Sequence, residues 1–160
     1  ETIRTFYHFI GPNIRKNSSS DKLLSTIDIM PTILELCEIQ QNENLPGESF
    51  HKFLIDNSKE LKEKEFTFSE TGALHGPYPS PHGSNVFCIK IPKNKLIYLK
   101  DANEWLFYNL ISDPNELKNI YDKNSELQKN LKNKLFEWIS IWRHFSCCRV
   151  FFGVIDIATS

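Results

Sequence analysis

The stretch NKLIYLKDANEWLFYNLISDPNELKNI, residues 94–120, decides the fold of this chain. It contains two short runs rich in aliphatic and aromatic residues, 95–99 and 104–109, which are separated by the turn residues Asp-Ala-Asn. A similar run at 86–91 precedes them across the turn residues Pro-Lys-Asn. Short apolar runs bounded by turn residues are typical of antiparallel strands. The pattern therefore predicts a meander of three antiparallel strands.

The residues after these strands predict helices. Asp113 stands at an N-cap position, Pro114 follows at the first helical position, and Glu116 at the third, which is a helix-start pattern. A longer helix is predicted from Ser125, because five apolar residues recur there at helical spacing. They are Leu127, Leu131, Leu135, Trp138 and Trp142. This stripe requires an apolar partner, and the adjacent sheet is the nearest one.

Upstream, a strand is predicted over Thr5–Ile10, and a helix over the apolar part of STIDIMPTILELCEI, residues 25–39. Asp28 is predicted to be the N-cap of that helix, with its carboxylate accepting N–H groups of the first turn, and Pro31 falls in that turn. Capping already explains this carboxylate, so a role in substrate contact is the weaker interpretation.

The chain continues through LPGESFHKFL, residues 45–54, which predicts a turn followed by a short helix. The charged segment Lys59–Lys64 is predicted to be a solvated connector. A strand with Phe66 and Phe68 on one face follows, and the Gly- and Pro-rich segment 72–83 predicts an irregular loop.

Composition excludes several classes of protein. A hydrophobic content of 40% and a net charge of −1 over 160 residues indicate a folded domain and not a nucleic-acid-coating or disordered chain. No apolar run is long enough to span a bilayer, so neither nucleic acid nor membrane is a predicted partner. The four cysteines, at positions 37, 88, 147 and 148, form no CxxC or zinc pattern.

The motifs together resemble the C-terminal part of the sulfatase family, in the alkaline-phosphatase superfamily. They are IRT…GPNI, STIDIMPTILEL, LPGESF, FSETG and the 94–120 stretch, in the order typical of sulfatases, followed by an amphipathic helix. The resemblance covers residues 1 to 142. It is weaker at the first strand, where the family usually has a proline after Arg-Thr and this chain has Phe6.

The resemblance implies an α/β (α+β) architecture of alkaline-phosphatase type that ends in a small antiparallel sheet packed on a long helix. Residues 1–60 would supply the last strand and helices of the large catalytic α/β domain. Residues 61–142 would form the C-terminal sheet and helix, and residues 143–160 are an atypical tail without a counterpart in the family.

No catalytic or metal-binding position can be assigned within this chain by the resemblance. Sulfatases use a Cys or Ser within a CxPxR or SxPxR motif, which is oxidised to formylglycine, and a divalent metal, generally calcium. None of the four cysteines lies in such a motif. Formylglycine and calcium are therefore expected in a full-length parent, with the N-terminal sulfatase portion as partner, and the isolated chain is predicted to be inactive.

The best candidates for substrate contact are Glu70, His75 and His82, which lie in or beside the loop that would close one side of the cleft. The two histidines could also bind a metal, but no third ligand is near them in the sequence. The simpler interpretation is that they are surface histidines. The implied substrate is a sulfated small molecule or glycan, and family habit favours an extracytoplasmic location.

Three interpretations of the whole remain. The chain is the C-terminal part of a working sulfatase, a non-catalytic sulfatase-like binding module, or part of a related phosphate or phosphonate ester hydrolase. A CxPxR motif in the same product would favour the first, and an autonomous fold would favour the second. The third is distinguished by relative activity on aryl sulfate and aryl phosphate.

Overall fold

A computed structural model of the protein describes residues 6–40, 45–71, 86–144 and 154–155. The chain divides into two compact units. The first, here called the N-terminal unit, contains the described residues up to 65 together with 154–155. The second, called the sheet–helix unit, contains the described residues between 66 and 144.

The N-terminal unit is built from short elements. Strand β1 is Leu24–Ser25, a 3-10 turn covers Thr26–Asp28, helix α1 is Ile29–Leu36 and helix α2 is His51–Ile55. Its core contains the buried side chains of Leu24, Phe50, Leu54 and Leu61. The prediction that 59–64 is a solvated connector is therefore wrong at Leu61, because this apolar side chain is buried and completes the core.

Residues 6–10 are not a strand, although their sequence predicts one. The side chains of Phe6 and Ile10 are 71% and 85% exposed. A strand requires a neighbouring backbone to accept and donate its hydrogen bonds. No strand among the described residues pairs with this segment. These residues therefore have strand propensity, but no described strand lies beside them to form the backbone hydrogen bonds of a sheet.

The sheet–helix unit contains a four-stranded antiparallel sheet, as expected. Its strands are β2, Thr67–Thr71; β3, Val86–Ile91; β4, Asn94–Leu99; and β5, Glu104–Asn109, in the spatial order β2-β3-β4-β5. Helix α3, Glu126–His144, follows. Strand β6, Val154–Ile155, belongs to the N-terminal unit, where it pairs with β1. The predicted α/β class and closing sheet with a long helix are confirmed.

One row of side chains across the sheet forms the core of this unit. The register places Phe68, Ile89, Leu96 and Phe107 opposite one another on successive strands, and so on one face of the sheet. Leu131 and Leu135 of α3 are buried against this face. Trp138 stacks on Phe68 with ring centroids 5.0 Å apart.

The first turn of α3 differs from the predicted stripe. Leu127 is 47% exposed, whereas Gln128 is 5% exposed. The Gln128 side chain accepts the N–H of Asp122 at 2.8 Å, and its amide group donates to the carbonyl of Ile120 at 3.5 Å. Because this side chain fastens the incoming chain to the helix, a polar residue takes the inward position. The side chain of Trp142 lies outside the described residues.

The helix predicted after Asp113 does not form. The Asp113 carboxylate does accept the N–H groups of Lys118 and Leu117, and these bonds hold its pKa below the ordinary value. Glu116, however, takes a left-handed backbone conformation with φ of 56° and reaches Lys95 on β4, where Nζ and Oε2 are 2.8 Å apart. This long-range ion pair replaces helical geometry with a turn.

The row of core side chains gives a direct test of the packing. Ile89 is 0% exposed, so Ile89→Val should reduce the free energy of unfolding by about 1 kcal/mol through loss of one buried methylene. Ile111→Val makes the same chemical change at a side chain that is 68% exposed and should have almost no effect. Urea unfolding followed by tryptophan fluorescence measures both. Equal effects would contradict the described packing.

Candidate functional site

Of the three predicted substrate-contact residues, the structure describes one. Glu70 lies in β2 opposite Phe87, and therefore on the sheet face that carries Phe68 and α3. It is the penultimate residue of β2, and its side chain is half-buried. His75 and His82 lie outside the described residues, in the segment that follows this strand. Their contact with substrate and with Glu70 stays a prediction.

The most developed polar cluster is built around Asp28, whose side chain is fully buried. We call it the Asp28 network; its members are Ser25, Asp28, Thr32, Glu48 and Lys64. The Asp28 carboxylate accepts the N–H of Ser25 at 2.9 Å through Oδ2 and the N–H of Glu48 at 2.9 Å through Oδ1. Lys64 Nζ lies 2.9 Å from the same Oδ1. Each carboxylate oxygen is thus bonded, and the charge is paired.

This arrangement corrects the predicted cap. The carboxylate of Asp28 makes no capping hydrogen bond to α1 and instead reaches back to the N–H of Ser25, at the start of the 3-10 turn. Lys64, predicted to be solvated, supplies the counter-charge because a fully buried carboxylate requires one. Thr32 completes the network: its hydroxyl donates to the carbonyl of Asp28 at 2.6 Å and accepts the N–H of Phe50 at 3.1 Å.

Gly47 allows the network to close. A Cβ atom at this position would stand 2.1 Å from the carbonyl oxygen of Ile27 and 3.0 Å from Cα of Asp28. The two backbones therefore touch directly, which only glycine permits. The sequence predicts Gly47 only as a turn residue within LPGESF. Its contact with a segment twenty positions earlier cannot be predicted from a single sequence.

A cleft of about 290 Å³ adjoins the network, but its charges do not suit an anionic ligand. Lys52, Lys62 and Lys64 line it together with three carboxylates, those of Asp28, Glu48 and Glu60. The formal charges cancel, and Lys64 is already paired. A sulfate site requires a surplus of positive charge or free N–H donors. The Asp28 network is therefore structural.

A second group resembles a catalytic triad in composition only. His51 Nδ1 contacts a carboxylate oxygen of Glu35, and the hydroxyl of Ser49 lies 3.4 Å from the same nitrogen. In a triad the nucleophile and the carboxylate bind opposite nitrogens of the imidazole, so that one nitrogen accepts the proton of the nucleophile while the carboxylate orients the ring and stabilises its charge. Both groups meet one nitrogen here. The cluster consequently links α1 to the start of α2 and does not activate the serine.

The described cysteines do not provide a nucleophile either. Cys88 is buried in β3, and burial raises the pKa of its thiol. A thiol with a raised pKa stays protonated at neutral pH and is a poor nucleophile. Cys37 is exposed and follows α1 directly, outside any nucleophile motif. Neither of the two described cysteines is therefore positioned to act as a catalytic nucleophile.

The described residues also do not match the ligand set of a calcium ion. Among residues 6–40, 45–71 and 86–144, no group of three or more His, Cys, Asp or Glu side chains could hold a metal. Calcium requires six to eight oxygen ligands. The carboxylates that are buried, those of Asp28 and Glu116, are each bonded to a lysine. The described carboxylates therefore do not form a calcium site.

Comparison with known proteins identifies the family whose fold this chain has. The family described as N-sulphoglucosamine sulphohydrolase, C-terminal, matches residues 3–140. Arylsulfatase K of Bos taurus is 31% identical in an alignment of 141 residues that covers 79% of this chain and 24% of that protein. N-acetylglucosamine-6-O-sulfatase of Bacteroides thetaiotaomicron is 26% identical in an alignment of 129 residues that covers 78% of this chain and 22% of that protein.

Solved structures show the same fold. One described as a 2-O GAG sulfatase superimposes with a TM-score of 0.64 at 21% identity, over 85% of this chain and 29% of that structure. Another, described as a complex with its substrate D-glucosamine-2-N,6-O-disulfate, gives a TM-score of 0.55 at 23% identity, over 74% of this chain and 24% of that structure. The chain spans about a quarter of the length of these relatives. It therefore belongs to the family described as N-sulphoglucosamine sulphohydrolase, C-terminal.

Proposed function

We propose that this chain acts within a longer sulfatase that hydrolyses sulfate esters, with the nucleophile and metal site in the rest of that protein. The observation that carries the proposal is the family match over residues 3–140, combined with the lack of a nucleophile motif and of a described metal cluster. The chain would complete the fold of the large domain through the N-terminal unit. The sheet–helix unit would close one side of the cleft.

The substrate class that we propose is a sulfated sugar containing glucosamine. The family description refers to N-sulphoglucosamine, and one relative is named for N-acetylglucosamine 6-O-sulfate. Other relatives are named arylsulfatases, so an aryl sulfate is the natural comparison substrate. No helix among the described residues is both long and apolar enough to cross a membrane. A sulfated extracellular glycan would require an extracytoplasmic location, which we propose as well.

The experiment that tests the activity uses the full-length product that carries this chain. It is assayed on an aryl sulfate, the matching aryl phosphate, and glucosamine sulfated at N or at O6. Release of sulfate with little phosphate supports the proposal. A preference for phosphate would support the related phosphate-ester hydrolase instead, and a product without activity on any of them would support a binding module. The isolated 160-residue chain should release no sulfate from any substrate.

The predicted contact residues are tested in the same product. His75→Ala and His82→Ala should raise KM for the sulfated sugar several-fold while changing kcat much less, because a side chain that only holds the substrate contributes to binding and not to chemistry. Glu70→Gln tests the neighbouring position at the end of β2. His8→Ala, a substitution in the N-terminal unit, is the matched control. Unchanged KM for all three variants would remove these residues from the site.

A further inference from the structure

A polar loop of the N-terminal unit, residues 16–21, has the sequence KNSSSD and takes no part in the clusters described above. Residues 16–19 are exposed and belong to neither a helix nor a strand. Asn17 has a left-handed backbone conformation with φ of 52°, which asparagine adopts more readily than most residues. The chain therefore bends at Asn17 and leaves its side chain in contact with solvent.

Both ends of this loop are fastened to the N-terminal unit. The backbone N–H of Arg15 donates to the carbonyl of Leu54 at 2.8 Å, and its guanidinium donates to the carbonyl of Phe53 at 3.0 Å. At the other end, Nζ of Lys22 donates to the carbonyl of Leu61 at 2.8 Å. The loop is thus held at its base and exposed at its tip. Within this unit, a bulky group on the Asn17 side chain would displace no core residue.

The exposed tip contains an acceptor motif for N-linked sugar. The motif is Asn-x-Ser/Thr, in which x is any residue except proline, and Asn17-Ser18-Ser19 fits it. The chain has fourteen asparagines, and Asn17 is the only one followed two positions later by Ser or Thr. Asn13 gives an internal comparison: it is also exposed and left-handed, with φ of 65°, but Arg15 stands two positions after it.

We propose that Asn17 is a site of N-linked glycosylation. The side-chain nitrogen of Asn17 forms a bond to the anomeric carbon of an oligosaccharide that is carried on a lipid pyrophosphate. The bond between that carbon and the pyrophosphate oxygen breaks, the pyrophosphate leaves with the electron pair, and the nitrogen loses one proton. The Ser19 hydroxyl is the part of the motif that the transferring enzyme recognises. The inference rests on the extracytoplasmic location proposed together with the function, because the acceptor motif is used in secreted proteins.

The proposal also predicts which surface of the N-terminal unit faces solvent in a longer sulfatase. An N-linked glycan is bulky and strongly hydrated, so it requires a surface position in the folded protein. The loop at 16–21 would therefore stay uncovered when the rest of the protein is present. The glycan would add solubility to a unit that also exposes the apolar side chains of Phe6 and Ile10.

Mass spectrometry of the native full-length product tests the modification directly. The product is purified from the cells that make it, treated in heavy-oxygen water with a peptide-N-glycosidase, and then digested with trypsin in ordinary water. The glycosidase converts a glycosylated asparagine to aspartate that carries heavy oxygen. Trypsin cleaves after Arg15 and Lys16, so Asn13 and Asn17 lie on different peptides. A sample without the glycosidase controls for spontaneous deamidation.

The expected result is heavy-oxygen aspartate at position 17 and unchanged asparagine at position 13. An unlabelled Asn17 peptide from the native product would overturn the proposal. Label at both positions, or equal label with and without the glycosidase, would also overturn it, because chemical deamidation and not a glycan would then account for the signal.

A pair of serine variants gives an independent readout in the full-length product, secreted from a eukaryotic host. Ser19→Ala destroys the motif and should lower the mass of the product by one glycan, as Asn17→Gln should. Ser18→Ala makes the same chemical change at the neighbouring exposed serine, keeps the motif and should leave the mass of the glycan in place. Ser19→Thr should retain the glycan. Equal glycan content in Ser19→Ala and Ser18→Ala would contradict a glycan on Asn17.

The sulfate-ester assay on the same samples separates this inference from the proposed function. Release of sulfate by a native product whose Asn17 carries no glycan would refute the glycosylation site alone. A glycan on Asn17 in a product that releases no sulfate would refute the proposed function alone and leave the site established.

Discussion

Replacing Asp28 by alanine should destabilise the N-terminal unit by about 3 kcal/mol, which is near the lower end of the cost of breaking a buried ion pair. The carboxylate is fully buried and receives two backbone N–H groups and Lys64. Its removal leaves three donors without their acceptor. The cost stays near the lower end because the Lys64 side chain is 21% exposed and can turn partly toward water.

The position of the tryptophans determines how this effect should be measured. Trp105, Trp138 and Trp142 all lie beyond residue 65, so fluorescence reports the sheet–helix unit and not the N-terminal one. Hydrogen exchange of peptides covering α1 and α2 measures the N-terminal unit directly. Faster exchange there, with an unchanged fluorescence transition, is the expected result for Asp28→Ala.

Two further variants define the control. Asp21→Ala removes an exposed carboxylate a few residues away and should leave exchange unchanged. Lys64→Met keeps most of the side-chain length but removes the charge, and it should destabilise the unit because the buried carboxylate then loses its counter-charge. If Asp28→Ala behaved like Asp21→Ala, the network would not hold the unit together.

Gly47→Ala should also cost about 3 kcal/mol, at the upper end of the usual cost of overpacking. The added Cβ would stand 2.1 Å from the backbone oxygen of Ile27, which cannot rotate away as a flexible side chain would. The two segments must therefore separate. Glu48, the next residue, would then lose its hydrogen bond to Asp28.

Gly11→Ala is the matched control, because its added Cβ would meet Ile14 at 3.5 Å, an ordinary contact. The same hydrogen-exchange measurement applies to both variants. Gly47→Ala should accelerate exchange in the peptides of α1 and α2, and Gly11→Ala should not. Equal behaviour of the two glycine variants would show that the close approach at Gly47 does not exist in solution.

The parts of the fold that are determined by residues close together in the sequence could be predicted. The strands of the meander are bounded by turn residues, and the stripe through Leu131, Leu135 and Trp138 specifies the buried face of α3. The predictions that were wrong depend on distant residues. Asp113 has a helix-start pattern, but Lys95 draws Glu116 into a turn.

The same reason explains what could be predicted of the candidate site. The identity of Asp28 as a helix-start residue is visible locally, but its ion-pair partner lies 36 positions later, at Lys64, in a segment whose composition indicates solvation. Glu70 is predicted to lie in or beside the loop that follows the strand with Phe66 and Phe68, and it lies within β2, one residue before the strand ends. Its contact with a substrate stays a prediction.

The turns of the meander have a consequence for the order of events during folding. Only two residues separate β3 from β4, and only four separate β4 from β5. Hairpins of this kind form in microseconds, since little chain entropy is lost when such short loops close. The ion pair of Asp28 with Lys64 must instead close a loop across 36 positions. On refolding, the meander should therefore form before the ion pair that fastens the N-terminal unit.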